Sequence, residues 1–103
     1  MKIKVIQDEE KTTLALSGRL DAVTSPKLQE TLLPHLGHNK HVELDLTELV
    51  YIASAGLRVL LIGEKTANSQ GGRQTIANVS PEVMEVFEMT GFSNVLQFDK
   101  QRG

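Results

Sequence analysis

A chain of 103 residues is long enough for one domain built around one hydrophobic core. Its 13 acidic and 11 basic residues are interspersed and leave a formal charge of −2, so no basic stripe is present to bind a nucleic-acid backbone. The absence of cysteine excludes disulfides and thiolate chemistry, and no apolar run reaches the length of a secretion signal or a membrane span. We therefore expect a cytoplasmic domain that binds neither nucleic acid nor membrane.

A β-hairpin is predicted at the N-terminus. Residues 3–6 and 12–17 are short runs of strand-forming residues, and the charged residues 8–11 between them are typical of a turn. Gly18 is expected to end the second strand.

The first helix is predicted to begin at Ser25, because proline is tolerated at the first helical position and a serine hydroxyl can cap the free amides. Pro34 should bend or shorten its last turn, and Gly37 should end it. One face of this helix is apolar and is expected to be buried: Leu28, Leu32 and Leu36.

Strands and helices alternate in the rest of the chain. Residues 41–46 alternate strictly, so Val42, Leu44 and Leu46 should face the core, and a helix is predicted over about 55–68. A turn at 69–72, a strand at 74–78, a helix opening at Ser80-Pro81 and ending at Gly91, and a last strand at 95–98 follow. The expected buried face of the last helix is Val83, Val86, Phe87 and Thr90. This order predicts a single α/β domain over residues 1–103, with a mixed, mostly parallel sheet and helices after the N-terminal hairpin.

Ser54 lies where a strand is predicted to give way to a helix, in the stretch "YIASAGLRVLL". One interpretation is a hydrolase nucleophile, but no histidine follows His41, so the serine, acid, histidine order of that fold is not met. A triad of another order stays possible, because geometry matters more than order. A second interpretation is a helix N-cap, which a serine at this position favours.

Three histidines, His35, His38 and His41, invite comparison with a metal site. Pro34 and Gly37 interrupt the helix there, so the spacing does not place the imidazoles on one face. No cysteine or clustered carboxylate completes a ligand set, and we expect no metal.

The helix after Ser54 has two apolar rows. Its core row is Leu57, Leu60 and Leu61, and the partly apolar second row is Val59, Ile62 and Thr66. The second row is either an exposed docking surface or part of a wide buried arc, and periodicity alone leaves both open. Small Ala55 and Gly56 would let the backbone of a partner approach Ser54.

These segments together resemble the STAS domain family, named for sulfate transporters and anti-sigma factor antagonists. The stretches "LSGRLDAVTSPKLQETL" and "ELDLTELVYIASAGLRVLL", with "GGRQTIANVSPEVMEVFEMTGF" after them, carry the resemblance over nearly the whole chain. In the stand-alone members a motif of Asp, Ser, Ser or Thr, Gly and Leu holds a serine that a partner kinase phosphorylates. Ser54 matches that serine, whereas Ala53 replaces the frequent aspartate and Ala55 a common hydroxyl residue.

The resemblance implies an anti-sigma factor antagonist that works by partner switching and is not an enzyme. The unphosphorylated form would bind an anti-sigma factor that is itself an ATP-binding serine kinase of the GHKL type, and would thereby free a sigma factor or another target. Phosphorylation at Ser54 would block binding, and a PP2C-type phosphatase would restore the serine; no cofactor is implied. Asp21 and Asp45 would lie near the same rim as Ser54. The residues expected to bind the partner are Asp21, Thr24, Ser25, Ala53, Ser54, Ala55, Gly56, Arg58, Val59 and Ile62.

Two alternatives remain at this level. A STAS domain can also serve as a phosphorylation-independent adaptor in a stressosome-like or lipid-transport complex. The alternative of a different class is a small serine hydrolase with Ser54 as its nucleophile.

Overall fold

A mixed β-sheet organises the chain in the computed structural model, which describes residues 1–37 and 40–99. Within these residues the sheet has four strands in the order β1-β2-β3-β4, and β1 pairs antiparallel with β2 while the other neighbours are parallel. The strands are β1 Lys2–Gln7, β2 Thr12–Leu20, β3 His41–Ile52 and β4 Arg73–Ala77, and the α-helices are α1 Ser25–Leu32, α2 Ser54–Ser69 and α3 Pro81–Thr90. The predicted α/β class with an N-terminal hairpin is confirmed.

The hairpin turn is held by the carboxylate of Asp8. Its Oδ1 accepts hydrogen bonds from the backbone N–H groups of Glu10 at 2.7 Å and Lys11 at 2.9 Å. These bonds, first that from Lys11, hold the pKa of Asp8 below its usual value. The predicted turn is therefore present and is stabilised by hydrogen bonds among its own residues.

Strand β2 does not end at Gly18, so that prediction is wrong. The strand continues to Leu20, and Gly18, at φ +95°, lies beside a shift in the register between β2 and β3. Glycine reaches this left-handed conformation without a Cβ penalty, so it allows an irregularity within the strand instead of a stop. As a consequence Arg19 and Leu20 stay paired with β3.

Helix α1 begins at Ser25, but this serine is not its cap. Thr24 occupies the N-cap position without a side-chain capping bond, while the Ser25 hydroxyl donates to the Asp21 carbonyl at 2.6 Å. The predicted shortening at Pro34 is confirmed, because α1 ends at Leu32 and a 3₁₀ turn over Leu33–His35 follows. Leu28, Leu32 and Leu36 are buried as predicted, but Leu36 lies after the 3₁₀ turn, so the prediction that the helix extends to Gly37 is wrong.

The core lies between the sheet and α1, α2 and α3. Val42, Leu44 and Leu46 of β3 are fully buried, as the alternation predicted, and β3 runs on to Ile52. On α2, Leu57, Val59 and Leu60 are buried and Leu61 is only half-buried. The second row of α2 is thus part of a wide buried arc at Val59, while Ile62 and Thr66 are half-buried.

Helix α3 has the predicted terminal signals. The Ser80 hydroxyl caps it by accepting from the Val83 N–H at 3.2 Å, and Gly91 ends it at φ +82°. Val83 and Phe87 are buried, but Thr90 is exposed, so its place on the buried face is wrong. Its hydroxyl donates to the Val86 carbonyl at 2.7 Å, a bond within the helix that needs no core position.

The predicted last strand at 95–98 is absent from the described structure. After α3 the chain forms a 3₁₀ turn over Phe92–Asn94, and in the described residues only a single parallel bridge joins Phe98 to Ile76 of β4. The Phe98 ring packs edge-on against Phe87, with centroids 5.4 Å apart. None of the helices within residues 1–37 and 40–99 combines the length and the apolarity needed to cross a bilayer.

Candidate functional site

The carboxyl ends of β2 and β3 meet at one edge of the sheet. Leu20 pairs with Ile52 in the parallel register, and the Ala53 N–H donates to the Leu20 carbonyl at 2.9 Å. Ligand sites of parallel α/β sheets form at this edge, where each strand gives way to a loop or a helix. The loop after Leu20 and the helix start at Ser54 are therefore neighbours.

Ser54 is the first residue of α2 and is exposed. Its interpretation as an N-cap is wrong, because Ala53 takes the extended N-cap conformation, with φ −107° and ψ 175°, and no side chain caps the helix. Within the part of the chain that the structure describes, the Ser54 hydroxyl makes no hydrogen bond. The hydroxyl is thus presented to solvent and is not needed to hold the helix.

Gly56 anchors the start of α2 against the sheet. A Cβ atom added there would lie 2.6 Å from Leu20 Cγ and 3.0 Å from Ile52 Cγ1, closer than carbon atoms pack. The absent side chain is therefore required for close packing of the helix on the two strand ends. Gly56 faces the core, so it does not open Ser54 to a partner as the sequence suggested, whereas Ala55 is half-buried beside Ser54.

Asp21 organises the loop between β2 and α1. Its Oδ1 accepts from the N–H groups of Val23 and Thr24, each at 3.1 Å, and the Thr24 hydroxyl donates to the Arg19 carbonyl at 2.9 Å. The hydrogen bonds to Oδ1, that from the Thr24 N–H first, lower the pKa of Asp21, so its carboxylate is ionised at neutral pH. Its negative charge lies at the same edge as Ser54.

Asp45 does not lie at this edge, so its expected place near the same rim is wrong. It lies mid-strand opposite Ala77, and β3 continues past it to Ile52. Its Oδ1 accepts from Thr47 Oγ1 at 2.6 Å and from Asn78 Nδ2 at 3.0 Å. Partial burial would raise the pKa of Asp45, but these hydrogen bonds outweigh it and the pKa is lowered.

A groove of about 560 Å³ runs between α1 and α2 next to Ser54. Its walls are mostly apolar, with Arg58 on the α2 side and Glu30 on the α1 side. The lining residues are Ala22, Ser25, Pro26, Gln29, Glu30, Leu33, Pro34, Ala55, Arg58 and Val59. The ten residues expected to bind a partner differ in their exposure to solvent. Ser54 and Arg58 are exposed, Asp21, Thr24, Ala53, Ala55 and Ile62 are half-buried, and Ser25, Gly56 and Val59 are buried.

Sequence reasoning missed Arg19 and Tyr51. Arg19 pairs with Tyr51 across β2 and β3, and its guanidinium carbon lies 4.0 Å from the centre of the Tyr51 ring. Val50 is 67% exposed, Tyr51 41% and Val23 86%, so apolar side chains face solvent at this edge. The predicted strand stopped at residue 46, so no sequence pattern indicated that Tyr51 pairs with Arg19.

His41 does not lie near Ser54. His41 begins β3, whereas Ser54 follows its end, so that imidazole lies at the opposite edge of the sheet, 2.8 Å from Thr75 Oγ1. Burial lowers the pKa of His41. Among residues 1–37 and 40–99 no three His, Asp or Glu side chains are grouped as a metal site, and His38 falls outside the described residues.

Ser54 is exposed at the start of α2, on the carboxyl edge of a small mixed sheet, which makes this edge the candidate contact surface. Residues 3–97 match a family model described as "Mlab, STAS domain". The chain belongs to the STAS domain family.

Curated relatives support the same assignment, and solved structures share the fold. BtrV of Bordetella bronchiseptica, a predicted anti-sigma factor antagonist, is 30% identical over 103 residues, covering 99% of this chain and 89% of BtrV. The anti-sigma-B factor antagonist of Bacillus subtilis is 26% identical over 96 residues, covering 93% of this chain and 88% of the relative. The fold is that of the unphosphorylated anti-sigma factor antagonist SpoIIAA, with a TM-score of 0.80 at 18% identity over 97% of this chain and 90% of that one. SpoIIAA from Bacillus in its phosphorylated form gives 0.73 at 17% identity over 97% and 93%.

Proposed function

We propose that this chain is an anti-sigma factor antagonist whose binding to an anti-sigma factor is switched off by phosphorylation of Ser54. The observation that supports it is the exposed Ser54 hydroxyl, which starts α2 without capping it. A serine that the fold does not use can be modified without unfolding the chain. The relatives named as anti-sigma factor antagonists support the same assignment.

The other serines near helix starts are less suited to modification. The Ser25 side chain is buried and its hydroxyl is bound to the Asp21 carbonyl, and the Ser80 hydroxyl caps α3. A kinase would have to break these bonds before it could reach either oxygen. Ser54 is therefore the proposed single target.

The proposed kinase is the anti-sigma factor itself, an ATP-binding serine kinase of the GHKL type. Ser54 Oγ would form a bond to the γ-phosphorus of ATP, the bond from that phosphorus to the ADP oxygen would break, and a base in the kinase would take the hydroxyl proton. A PP2C-type phosphatase would hydrolyse the phosphate and restore the serine. The kinase and phosphatase chemistry would lie in those partners, and this chain would supply a substrate and a surface.

The phosphate would act on the complex more than on the fold. It brings about −1.5 to −2 charges to the N-terminus of α2, where the helix dipole favours negative charge. Burying that charge against a partner without a cation costs several kcal/mol, and each ~1.4 kcal/mol is tenfold in affinity. One phosphate is thus enough to abolish a micromolar complex.

The test uses the cognate anti-sigma factor purified with and without Mg-ATP. Calorimetric titration should show binding of the unphosphorylated chain and its loss after incubation with Mg-ATP, and peptide mass spectrometry should place the phosphate on Ser54 alone. Modification of Ser25 or Ser80 in place of Ser54 would contradict the site. Unchanged affinity after full phosphorylation of Ser54 would contradict the switch.

A second candidate is a phosphorylation-independent adaptor, as in stressosome-like or lipid-transport complexes. The uncharged Ala53 before the serine, in place of the aspartate of the resembling motif, favours it. An adaptor would bind its partner equally well with or without ATP. The titration described above separates the two functions.

A further inference from the structure

Arg19 is a cation at the Ser54 edge to which the proposed function gives no role. Its guanidinium lies over the Tyr51 ring, and its Nε is 3.9 Å from Asp21 Oδ2, which is too far for a hydrogen bond. The Arg19 side chain is 60% exposed. Within the described residues the guanidinium is held only by a stacking contact and a loose ion pair, so its N–H donors can bind an anion.

Arg19 and Ser54 lie on either side of one hydrogen bond, that from the Ala53 N–H to the Leu20 carbonyl. Arg19 immediately precedes Leu20, and Ser54 immediately follows Ala53. Since paired residues of neighbouring strands are about 4.8 Å apart and the three residues from Tyr51 to Ser54 span at most about 11 Å, the Cα atoms of Arg19 and Ser54 are at most about 16 Å apart, the sum of the two distances. A long arginine side chain and a phosphate on Ser54 can meet across such a gap.

A phosphate would be a stronger partner for Arg19 than the contacts it has now. A guanidinium forms bidentate, charge-assisted hydrogen bonds with phosphate, which exceed a cation–π contact at an exposed site. Asp21 competes poorly, because the oxygen that faces Arg19, Oδ2, is 3.9 Å from Nε and beyond hydrogen-bond distance.

We propose that Arg19 leaves Tyr51 and binds the phosphate when Ser54 is phosphorylated, which uncovers the Tyr51 ring. The inference rests on the proposed phosphorylation of Ser54 and adds a second consequence to it. The modification then changes the apolar contact surface of the edge as well as its charge. Arg58, one helical turn after Ser54, can add a second cation but has no contact with Tyr51 in the structure.

Tyr51 is a built-in reporter for this movement, because the chain contains one tyrosine and no tryptophan. Phosphoserine is installed at position 54 during synthesis of the chain, so no kinase is needed. Tyrosine fluorescence and the ring-proton chemical shifts of Tyr51 are then compared between phosphorylated and unphosphorylated forms of wild type, Arg19→Gln and the matched control Arg58→Gln.

In wild type, phosphorylation should move the Tyr51 signals toward those of unphosphorylated Arg19→Gln, in which the ring has already lost its cation. Arg58→Gln should keep this response and Arg19→Gln should lose it. A phosphorus NMR titration should also give a lower second pKa for the phosphate in wild type than in Arg19→Gln, because the guanidinium favours the dianion.

Tyr51 signals that do not change on phosphorylation would overturn the proposal, and so would a change that persists in Arg19→Gln. A change seen only when the anti-sigma factor is added would assign the anion to a carboxylate of the partner and would also overturn it. Because the phosphoserine is built in, a kinase that modified another serine would contradict the proposed function and leave this test intact.

Discussion

Replacing Gly56 by alanine tests whether α2 is fixed against the ends of β2 and β3. In most helices Gly→Ala is stabilising, by up to about 1 kcal/mol. Here the new Cβ would lie 2.6 Å from Leu20 Cγ and 3.0 Å from Ile52 Cγ1, and Leu20 is fully buried. Overpacking of this kind typically costs about 1–3 kcal/mol, so a central cost of ~2 kcal/mol exceeds the helix gain.

We expect Gly56→Ala to destabilise the chain by about 1 kcal/mol, which lowers the melting temperature by roughly 4–8 °C for a domain of this size. Thermal unfolding followed by circular dichroism measures it. Lys65→Ala, at an exposed position of the same helix, is the control for helix propensity and should melt within about 0.5 kcal/mol of wild type. A Gly56→Ala chain that melts at or above the wild-type temperature would refute the close-packing argument.

Three further predictions concern Ser54, Arg58 and His41. Ser54→Ala should leave the free energy of unfolding of the isolated chain within about 0.5 kcal/mol of wild type, because no cap is lost. Ser54→Asp should stabilise the chain by about 0.3–1 kcal/mol through the helix dipole, yet weaken the anti-sigma factor complex tenfold or more. Thermal melts measure the stability of both variants, and calorimetric titration measures their affinity. Arg58→Ala should lower the melting temperature of the Ser54-phosphorylated form more than that of the unmodified form, because Arg58 can form an ion pair with the phosphate. Equal shifts in the two forms would contradict this ion pair. Burial, assisted by the charge of Arg73, lowers the pKa of His41, so the folded chain binds this proton less readily than the unfolded chain. The contribution of neutral His41 to the free energy of unfolding should therefore be fully present above about pH 6.5 and be lost as the pH falls below it. Melting temperatures measured over a pH series should show a smaller loss in His41→Gln than in wild type.

The parts of the fold that depend on local pattern could be predicted from the sequence. The strict alternation at Val42, Leu44 and Leu46 identified the core face of β3, and Ser80 and Gly91 marked both ends of α3. Each of these signals is complete within a few neighbouring residues. The order of strands and helices then predicted parallel pairing, because strand–helix–strand connections are generally right-handed crossovers between parallel strands.

The parts that failed depend on contacts between distant residues. Serine is a better N-cap than alanine by local preference, yet Ala53 takes the cap position because its N–H is bound to the Leu20 carbonyl of a neighbouring strand. The alternation of β3 breaks after Leu46, and pairing with β2 alone carries the strand on to Ile52. The same pairing brings Arg19 onto Tyr51, which no local pattern indicates.

In the candidate site, the residues that stabilise the fold are different from the residue that a switch would modify. Gly56 fixes the start of α2 by packing against the strand ends, and Asp21 fixes the adjoining loop through bonds to backbone N–H groups. Both hold their neighbours in place with atoms that cannot be altered without a cost in stability. The Ser54 hydroxyl is positioned by the same elements but contributes no bond to them within the described structure. We therefore expect a charge added to this oxygen to change the affinity for a partner while the free energy of folding stays nearly constant, which is the property that a reversible binding switch requires.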